Sequence, residues 1–329
     1  MAITSGGAGT TPPIWPAGTT SSGAFYSTGF VPEIWSGKLV EKFYANTVLS
    51  AISNTDYEGE IRNQGDKVKI RTKPTVTIKD YVLDGDLVIE RPTGNVLELA
   101  IDKGKYFALA LDDVMEIQSD LNIMSMWADD ASQQFKITVD TDVLKGVLGQ
   151  ANSFNRGATA GKISGAINLG VTTTPLALSA SGTSGGAVEV LDAVLRLGQA
   201  LDEQNIPEAG RWLVMPVWAA NLIKRSELRQ AYLTGDAVTP LRNGKIGQVD
   251  RFTIYTSNLL PAGVAGGLAA GEYAMYAGHA HGLTFASQFT KVETIRSERS
   301  FSNILRGLQV YGYKVVDGTA LAQAIITKA

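Results

Sequence analysis

The sequence predicts an α+β fold on three observations. Residues 57–105 alternate polar and apolar side chains as strands do. Residues 112–145 carry a helical apolar stripe without one glycine or proline. The remainder mixes short strands and helices in a glycine-rich background. With 329 residues, 44% of them apolar, the chain can bury a substantial core, which excludes a wholly disordered or fibrous protein.

The first thirty residues contain no Asp, Glu, Lys or Arg, and set Trp15, Phe25, Tyr26 and Phe30 among Gly, Ser, Thr and Pro. Such a segment buries too little apolar surface to fold alone. Two readings stand: a free terminus, or an arm ordered by packing on a neighbouring subunit. Pro32 then opens a helix-like stretch, 33–52, with Ile34, Trp35, Leu39, Phe43, Val48 and Leu49 on its apolar face.

In the ribbon, Lys67-Val68-Lys69-Ile70-Arg71 and Thr75-Val76-Thr77-Ile78-Lys79 read as strands. Asp84-Gly85 and Thr93-Gly94-Asn95 read as turns, and residues 96–102 as the returning strand. Nine basic and nine acidic residues fall within 57–105, so the segment is dense in charge yet neutral. It is either a solvated hairpin or a projection that meets complementary charges on partners. An isolated hairpin is marginal in water, which favours the projection. Its contact candidates are Lys67, Lys69, Arg71, Lys73, Lys79, Asp80, Asp84, Asp86, Glu90 and Arg91, joined by Trp15, Phe25 and Tyr26 of the arm.

The helix predicted over 112–145 starts at Asp112 and Asp113, whose carboxylates suit a helix N-terminus. Val114, Ile117, Leu121, Met124, Ala128, Ala131, Phe135 and Thr138 mark its stripe. At about 1.5 Å per residue it makes a rod of roughly 50 Å, expected to lie across a sheet. Beyond Gly149 a second domain is expected. It has a helix over 188–204, a buried strand Arg211-Trp212-Leu213-Val214-Met215, and Pro216 as the first residue of a helix reaching about 230. Strands follow at 252–256, 273–276, 291–295 and 303–316, then a final apolar piece at 320–326.

Several functional classes are excluded or disfavoured. The absence of cysteine removes disulfide scaffolds, zinc ribbons and thiol catalysis. A net charge of −3 does not fit a protein that grips nucleic acid over a broad surface. No apolar run is long enough for a membrane helix, and the N-terminus lacks a signal-peptide pattern. Gly182-Thr183-Ser184-Gly185-Gly186 matches the nucleophile-elbow pattern, with Asp250 and His279 or His281 downstream in hydrolase order. Its low-complexity flanks favour a loop that caps a helix. His279-Ala280-His281 lacks a third metal ligand. The segment 156–163 misses the phosphate-loop pattern in its glycine spacing and at Ile163, where Ser or Thr belongs. No catalytic constellation, cofactor or metal site is expected.

Four stretches carry a resemblance. Ile101-Asp102-Lys103-Gly104-Lys105-Tyr106-Phe107-Ala108 leads into Leu111-Asp112-Asp113-Val114 and Gln118-Ser119. Residues 211–216 form a strand-then-proline step. Gly247-Gln248-Val249-Asp250-Arg251-Phe252 leads to Ser257-Asn258. Val292-Glu293, Arg306-Gly307 and Tyr311-Gly312-Tyr313-Lys314 complete the set. In this order the chain resembles the major capsid proteins of tailed bacteriophages with the HK97-type fold. The resemblance implies an N-arm at 1–30 and an extended β-hairpin loop at 57–105. It implies a peripheral domain from 31–56, 106–150 and 291–316, with a spine helix at 112–145. An axial α/β domain would comprise 151–290 and 317–329.

The resemblance also implies a structural subunit, not an enzyme, that self-assembles as hexamers and pentamers into an icosahedral shell around phage DNA. The short arm implies a separate scaffolding protein. A portal, with room for a cement protein, and double-stranded DNA held weakly without sequence specificity complete the partners. Assembly is expected in the host bacterial cytoplasm. Lys67, Lys69, Lys73 and Lys79 are available for the cross-link some relatives make, but a charge-paired ribbon needs none. The alternatives are a tail-tube or surface-layer subunit and a serine hydrolase built on Ser184; the long helix argues against a tube.

Overall fold

The computed structural model describes residues 44–45, 47–56, 67–72, 74, 76–81, 83, 86, 89–94, 96–118, 123–180, 186–226 and 248–329. The arm at 1–30 and most of the helix expected over 33–52 lie outside these residues, as do Lys73, Asp84 and Ser184.

In chain order the described elements are α1 (Leu49–Ile52), β1 (Lys67–Arg71), β2 (Val96–Ala100), β3 (Lys103–Asp112), α2 (Asp113–Gln118) and α3 (Ile123–Val147). They continue with β4 (Leu176–Ser179), β5 (Val188–Glu189), α4 (Val190–Glu203), β6 (Arg211–Met215), α5 (Val217–Arg225), β7 (Gln248–Val249) and β8 (Phe252–Thr256). The last four are β9 (Glu272–His279), β10 (Leu283–Arg296), β11 (Ser302–Val315) and β12 (Leu321–Lys328). They build three sheets: the pair β1-β2, an antiparallel sheet β10-β11-β3, and a seven-stranded mixed sheet ordered β5-β4-β12-β9-β6-β8-β7.

The seven-stranded sheet is buried on both faces at its centre, which is why β6 reads as an unbroken apolar run after Arg211. Alternation then sorts its residues between two cores. Leu213 and Met215 join Ala322, Ala324 and Ile326 against α4 and α5, through Val190, Val194, Leu197, Leu201 and Ile223. Trp212 and Val214 face the other way with Leu321, Ile325 and Tyr276. That second core is filled by the C-terminal half of α3, through Val139, Val143, Leu144 and Val147, and it reaches Tyr311 of β11. One helix end thus serves both larger sheets. Each of these aliphatic side chains contributes about 1.5–3 kcal/mol on full burial. Asp140 sits among them and accepts the Val48 N–H at 2.9 Å, capping the start of α1. Burial pushes its carboxyl up despite that bond and one from the Leu49 amide.

Four expected boundaries move. Asp112 ends β3 and pairs with Ser302, because residues 103–112 form a ten-residue ladder with β11; helix begins at Asp113. Helix is described on both sides of 119–122 and runs to Val147. Residues 76–80 alternate in sequence but carry no strand, since no ladder partner lies beside them among the described residues. Pro216 is the N-cap of α5, with ψ 148° outside the helical range, and α5 ends at Arg225; residues 227–230 lie outside the described set.

The pair β1-β2 stands on the three-stranded sheet through Ile70, Leu99, Ile101 and Ala286. At Gly312 the backbones come so close that a Cβ would lie 2.2 Å from the Ala100 carbonyl oxygen. Backbone on both sides cannot yield as a side chain can. Gly312→Ala is therefore expected to destabilise the chain by about 1–3 kcal/mol, read as a lowered denaturant midpoint. An unchanged midpoint would show that the ribbon base can lift off the sheet without cost.

Candidate inter-subunit surface

The base of the ribbon is a ladder and its outer part is not. Lys67 pairs across from Ala100, Lys69 from Glu98 and Arg71 from Val96, and all three cations are exposed. Farther out, Lys79 and Glu90 form an ion pair at 2.5 Å, so two of the contact candidates meet each other. Both are exposed, and such a pair adds little stability. Asp80, Asp86 and Arg91 are exposed.

The charges are not what distinguishes this segment. Val76, Ile78 and Ile89 are 62%, 89% and 88% exposed, and Tyr81 and Leu83 are exposed beside them. Large apolar side chains rarely stand uncovered together on a solitary soluble molecule; such patches mark interaction surfaces. The period-two pattern of residues 75–79 places Val76 and Ile78 on one face, but nothing in the pattern says that this face is left uncovered within the chain.

A polar clamp roots the ribbon in the body. Lys103, at the start of β3, places Nζ 3.2 Å from Asp142 Oδ2 of α3 and 4.7 Å from the centre of the Tyr313 ring. The Tyr311 hydroxyl donates to the same Asp142 oxygen at 2.8 Å. Tyr313 leaves room for itself because Gly146 faces it: a Cβ there would strike the phenol oxygen. Burial pushes the Asp142 carboxyl up, but the bonds from Tyr311 and Lys103 and the charges of Lys103 and Lys105 outweigh it and hold the group below the usual carboxylate range. A depressed carboxyl stabilises the fold above its unfolded pKa near 4, and that contribution is lost as pH falls through the folded value. Asp142→Asn is therefore expected to lower the melting temperature most at neutral pH, with the gap to the unaltered chain closing below about pH 4. A gap constant from pH 7 to 3 would remove the clamp's electrostatic role.

Beyond the stretch that carries β1-β2, the three-stranded sheet is covered on one face only among the described residues. Phe107 crosses Gly307 and packs edge-on against Phe135 of α3, ring centres 5.3 Å apart. On the opposite face Tyr106, Leu308 and Lys291 stand in one cross-strand row, all exposed. Near it, Glu293 is paired with both Lys291 and Arg306, whose hydrogen bonds hold its carboxyl down. At the far end Arg296 binds Asp113 at 2.5 Å, while Val114, Ile117 and Phe301 point into solvent. Val114 and Ile117 belong to the predicted helical stripe yet are exposed, as is Thr138 at its other end; the apolar residues that bury α3, Val139, Val143, Leu144 and Val147, lie off that stripe.

Two of the catalytic and binding look-alikes fall on described residues. His279 Nδ1 accepts the His281 amide at 3.2 Å, a local turn, and no group of three potential ligands gathers around the pair. In the phosphate-loop look-alike, the Ile163 and Ser164 amides already donate to Glu203 Oε2 at 2.7 and 3.1 Å, so a carboxylate occupies the place of an anion. The elbow at Ser184, like Trp15, Phe25, Tyr26, Lys73 and Asp84, lies outside the described residues. No helix among the described residues is long and apolar enough to cross a membrane.

Comparison with known proteins agrees with this picture. Residues 96–324 match the family model described as phage capsid protein. No curated protein matches the sequence. Among solved structures, a chain of Mycobacterium phage Che8 is similar at TM-score 0.71 and 24% identity, covering 92% of this chain and 98% of its own. The mature capsid of bacteriophage PhiM1 gives TM-score 0.67 at 17% identity, with 91% and 93% covered. The capsid of the native GTA particle gives 0.64 at 14%, with 93% and 100% covered. A family match over more than two-thirds of the chain, on an α+β architecture shared with capsid subunits, places it: this chain belongs to the phage capsid family and is a structural major capsid protein with an HK97-like fold.

Proposed function

We propose that the chain is the repeating subunit of an icosahedral virion shell, closed by hexamers and pentamers of itself around phage DNA. The observation that carries the reading is the ribbon, whose large apolar side chains project without cover. Residues 57–105 act as an extended loop, and residues 1–30 as an arm, each reaching a neighbouring copy. The peripheral domain is 31–56, 106–150 and 291–316, and the axial domain is 151–290 and 317–329. The contacts use Trp15, Phe25 and Tyr26 of the arm. On the loop they use Lys67, Lys69, Arg71, Lys73, Asp80, Asp84, Asp86 and Arg91, with the Lys79–Glu90 pair as an internal brace. Charges set register and the apolar positions supply burial.

The role is architectural and needs no turnover, because many modest contacts repeated by symmetry stabilise a closed shell. A separate scaffolding protein and a portal are its further partners, with room for a cement protein, and near-neutral charge suits weak, sequence-independent contact with packaged DNA. Assembly takes place in the host bacterial cytoplasm. Purified full-length chain, brought to assembly conditions with and without its scaffolding protein, is expected to give closed shells of uniform diameter in negative-stain micrographs. Single subunits under both conditions would overturn the proposal.

A further inference from the structure

A cleft of about 400 Å³ opens where the end of α3 meets the turn at 170–172, the turn at 264–268 and β12. This is the small end of the range for sites that bind small ligands, ~300–1,000 Å³. Its floor is aliphatic, from Leu148, Val171, Leu268 and Ile325, and its polar edge is Arg156 and Gln323. No acidic side chain lines it, so Arg156 is its one formal charge.

The polar edge is built rather than incidental. Gln323 lies within β12 and is only 6% exposed. Its Oε1 accepts the Gly149 amide at 2.7 Å, which fixes the side-chain amide, while no acceptor among the described residues takes its Nε2 hydrogens. Arg156 donates through Nη1 to the Gly149 carbonyl, which leaves Nε and Nη2 without an acceptor among the described residues. Gly149, at φ +77°, is thereby held at its N–H by Gln323 and at its C=O by Arg156, which places the two side chains on the two peptide units that flank it. The Gln323 Nε2 hydrogens and the remaining Arg156 nitrogens are therefore open to the cleft, where an acceptor that enters meets donors that no described protein group has taken.

We propose that this cleft binds a peptide carboxylate next to an aliphatic side chain, the carboxylate accepting from Arg156 and Gln323 and the aliphatic group lying on Leu148, Leu268 and Ile325. Two sources present that chemistry: a chain's C-terminal residue, or an Asp or Glu beside a leucine or valine. The site is independent of the shell reading and is tested on the unassembled full-length chain.

Methyl- and amide-detected NMR titration with N-acetyl-leucine represents the terminal carboxylate, and N-acetyl-Asp-Leu-amide the side-chain carboxylate. N-acetyl-leucinamide is the uncharged control. At least one acid is expected to give saturable shifts at Gly149, Leu268 and Ile325, with the control at least tenfold weaker. Which acid binds more tightly identifies the source. Gln323→Glu, which keeps the acceptor for Gly149 but removes the donor, and Arg156→Gln should each weaken binding at least tenfold. Arg156 is exposed, so its variant keeps the test decisive if the Gln323 variant fails to fold. Equal shifts from acid and control, shifts elsewhere in the chain, or no saturable shift would overturn the proposal.

Discussion

Replacing Val76, Ile78 and Ile89 together with aspartate is expected to leave the unassembled chain folded and to abolish shell formation. In the single chain these side chains are largely solvated, so their loss removes little intramolecular burial. The melting temperature of the subunit should move by less than about 2 °C. In a shell each would be covered by a neighbour, at about 1.5–3 kcal/mol apiece, and the introduced carboxylates would add a desolvation cost. Several kcal/mol per subunit, repeated at every copy, exceeds what a lattice of modest contacts tolerates. Particle yield by sedimentation and micrograph should fall at least a hundredfold. Normal shells from the triple variant would mean that the ribbon stays solvated after assembly. Reversing Lys67, Lys69 and Arg71 to glutamate is a less clean test, because Lys69 stands directly across from Glu98 and the reversal would put like charges face to face within the subunit.

The elements legible in the sequence are those whose partner is the chain itself. The run Trp212 to Met215 and the spacing of Val190, Val194, Leu197 and Leu201 report burial that the fold supplies locally, and both appear where their periods place them. The misread elements depend on something far away. Residues 103–112 become a strand only because β11, two hundred residues on, pairs with them; without it the two aspartates at 112 and 113 look like a helix start. The predicted helical stripe, Val114 to Thr138, misses Val143, which lies between the two larger sheets, because those sheets and not the helix period decide which face of α3 is covered. The Lys103–Asp142 clamp joins positions 39 apart with no shared pattern, and no count of charges points to it. On the ribbon, alternation correctly separates apolar from polar positions. It cannot say which set is covered when the cover is another molecule.

The largest loss of stability from one side chain is expected at Arg211. Its guanidinium is 1% exposed at the start of β6, where it donates to the Ile206 carbonyl at 2.6 Å and the Pro207 carbonyl at 2.9 Å and pairs with Asp202 at 2.7 Å. Asp202 is shared: Arg251 reaches its other oxygen at 3.0 Å while also binding Glu208. Arg251 and Asp250 form the two-residue turn between β7 and β8 with φ of +66° and +45°, a left-handed pair that costs energy for residues with a Cβ. The shared carboxylate is therefore what ties the end of α4 to a strained turn, and Arg211 holds that carboxylate from inside. Arg211→Met keeps the length and apolar stem of the side chain but leaves two carbonyls without their charged donor. It should cost about 2–4 kcal/mol and lower the melting temperature by roughly 3–6 °C. Asp202→Asn should cost less, because that carboxylate is 39% exposed and water replaces much of what it loses. If Arg211→Met melts within 2 °C of the unaltered chain, the cluster is ornamental and the turn between β7 and β8 is held by its backbone alone.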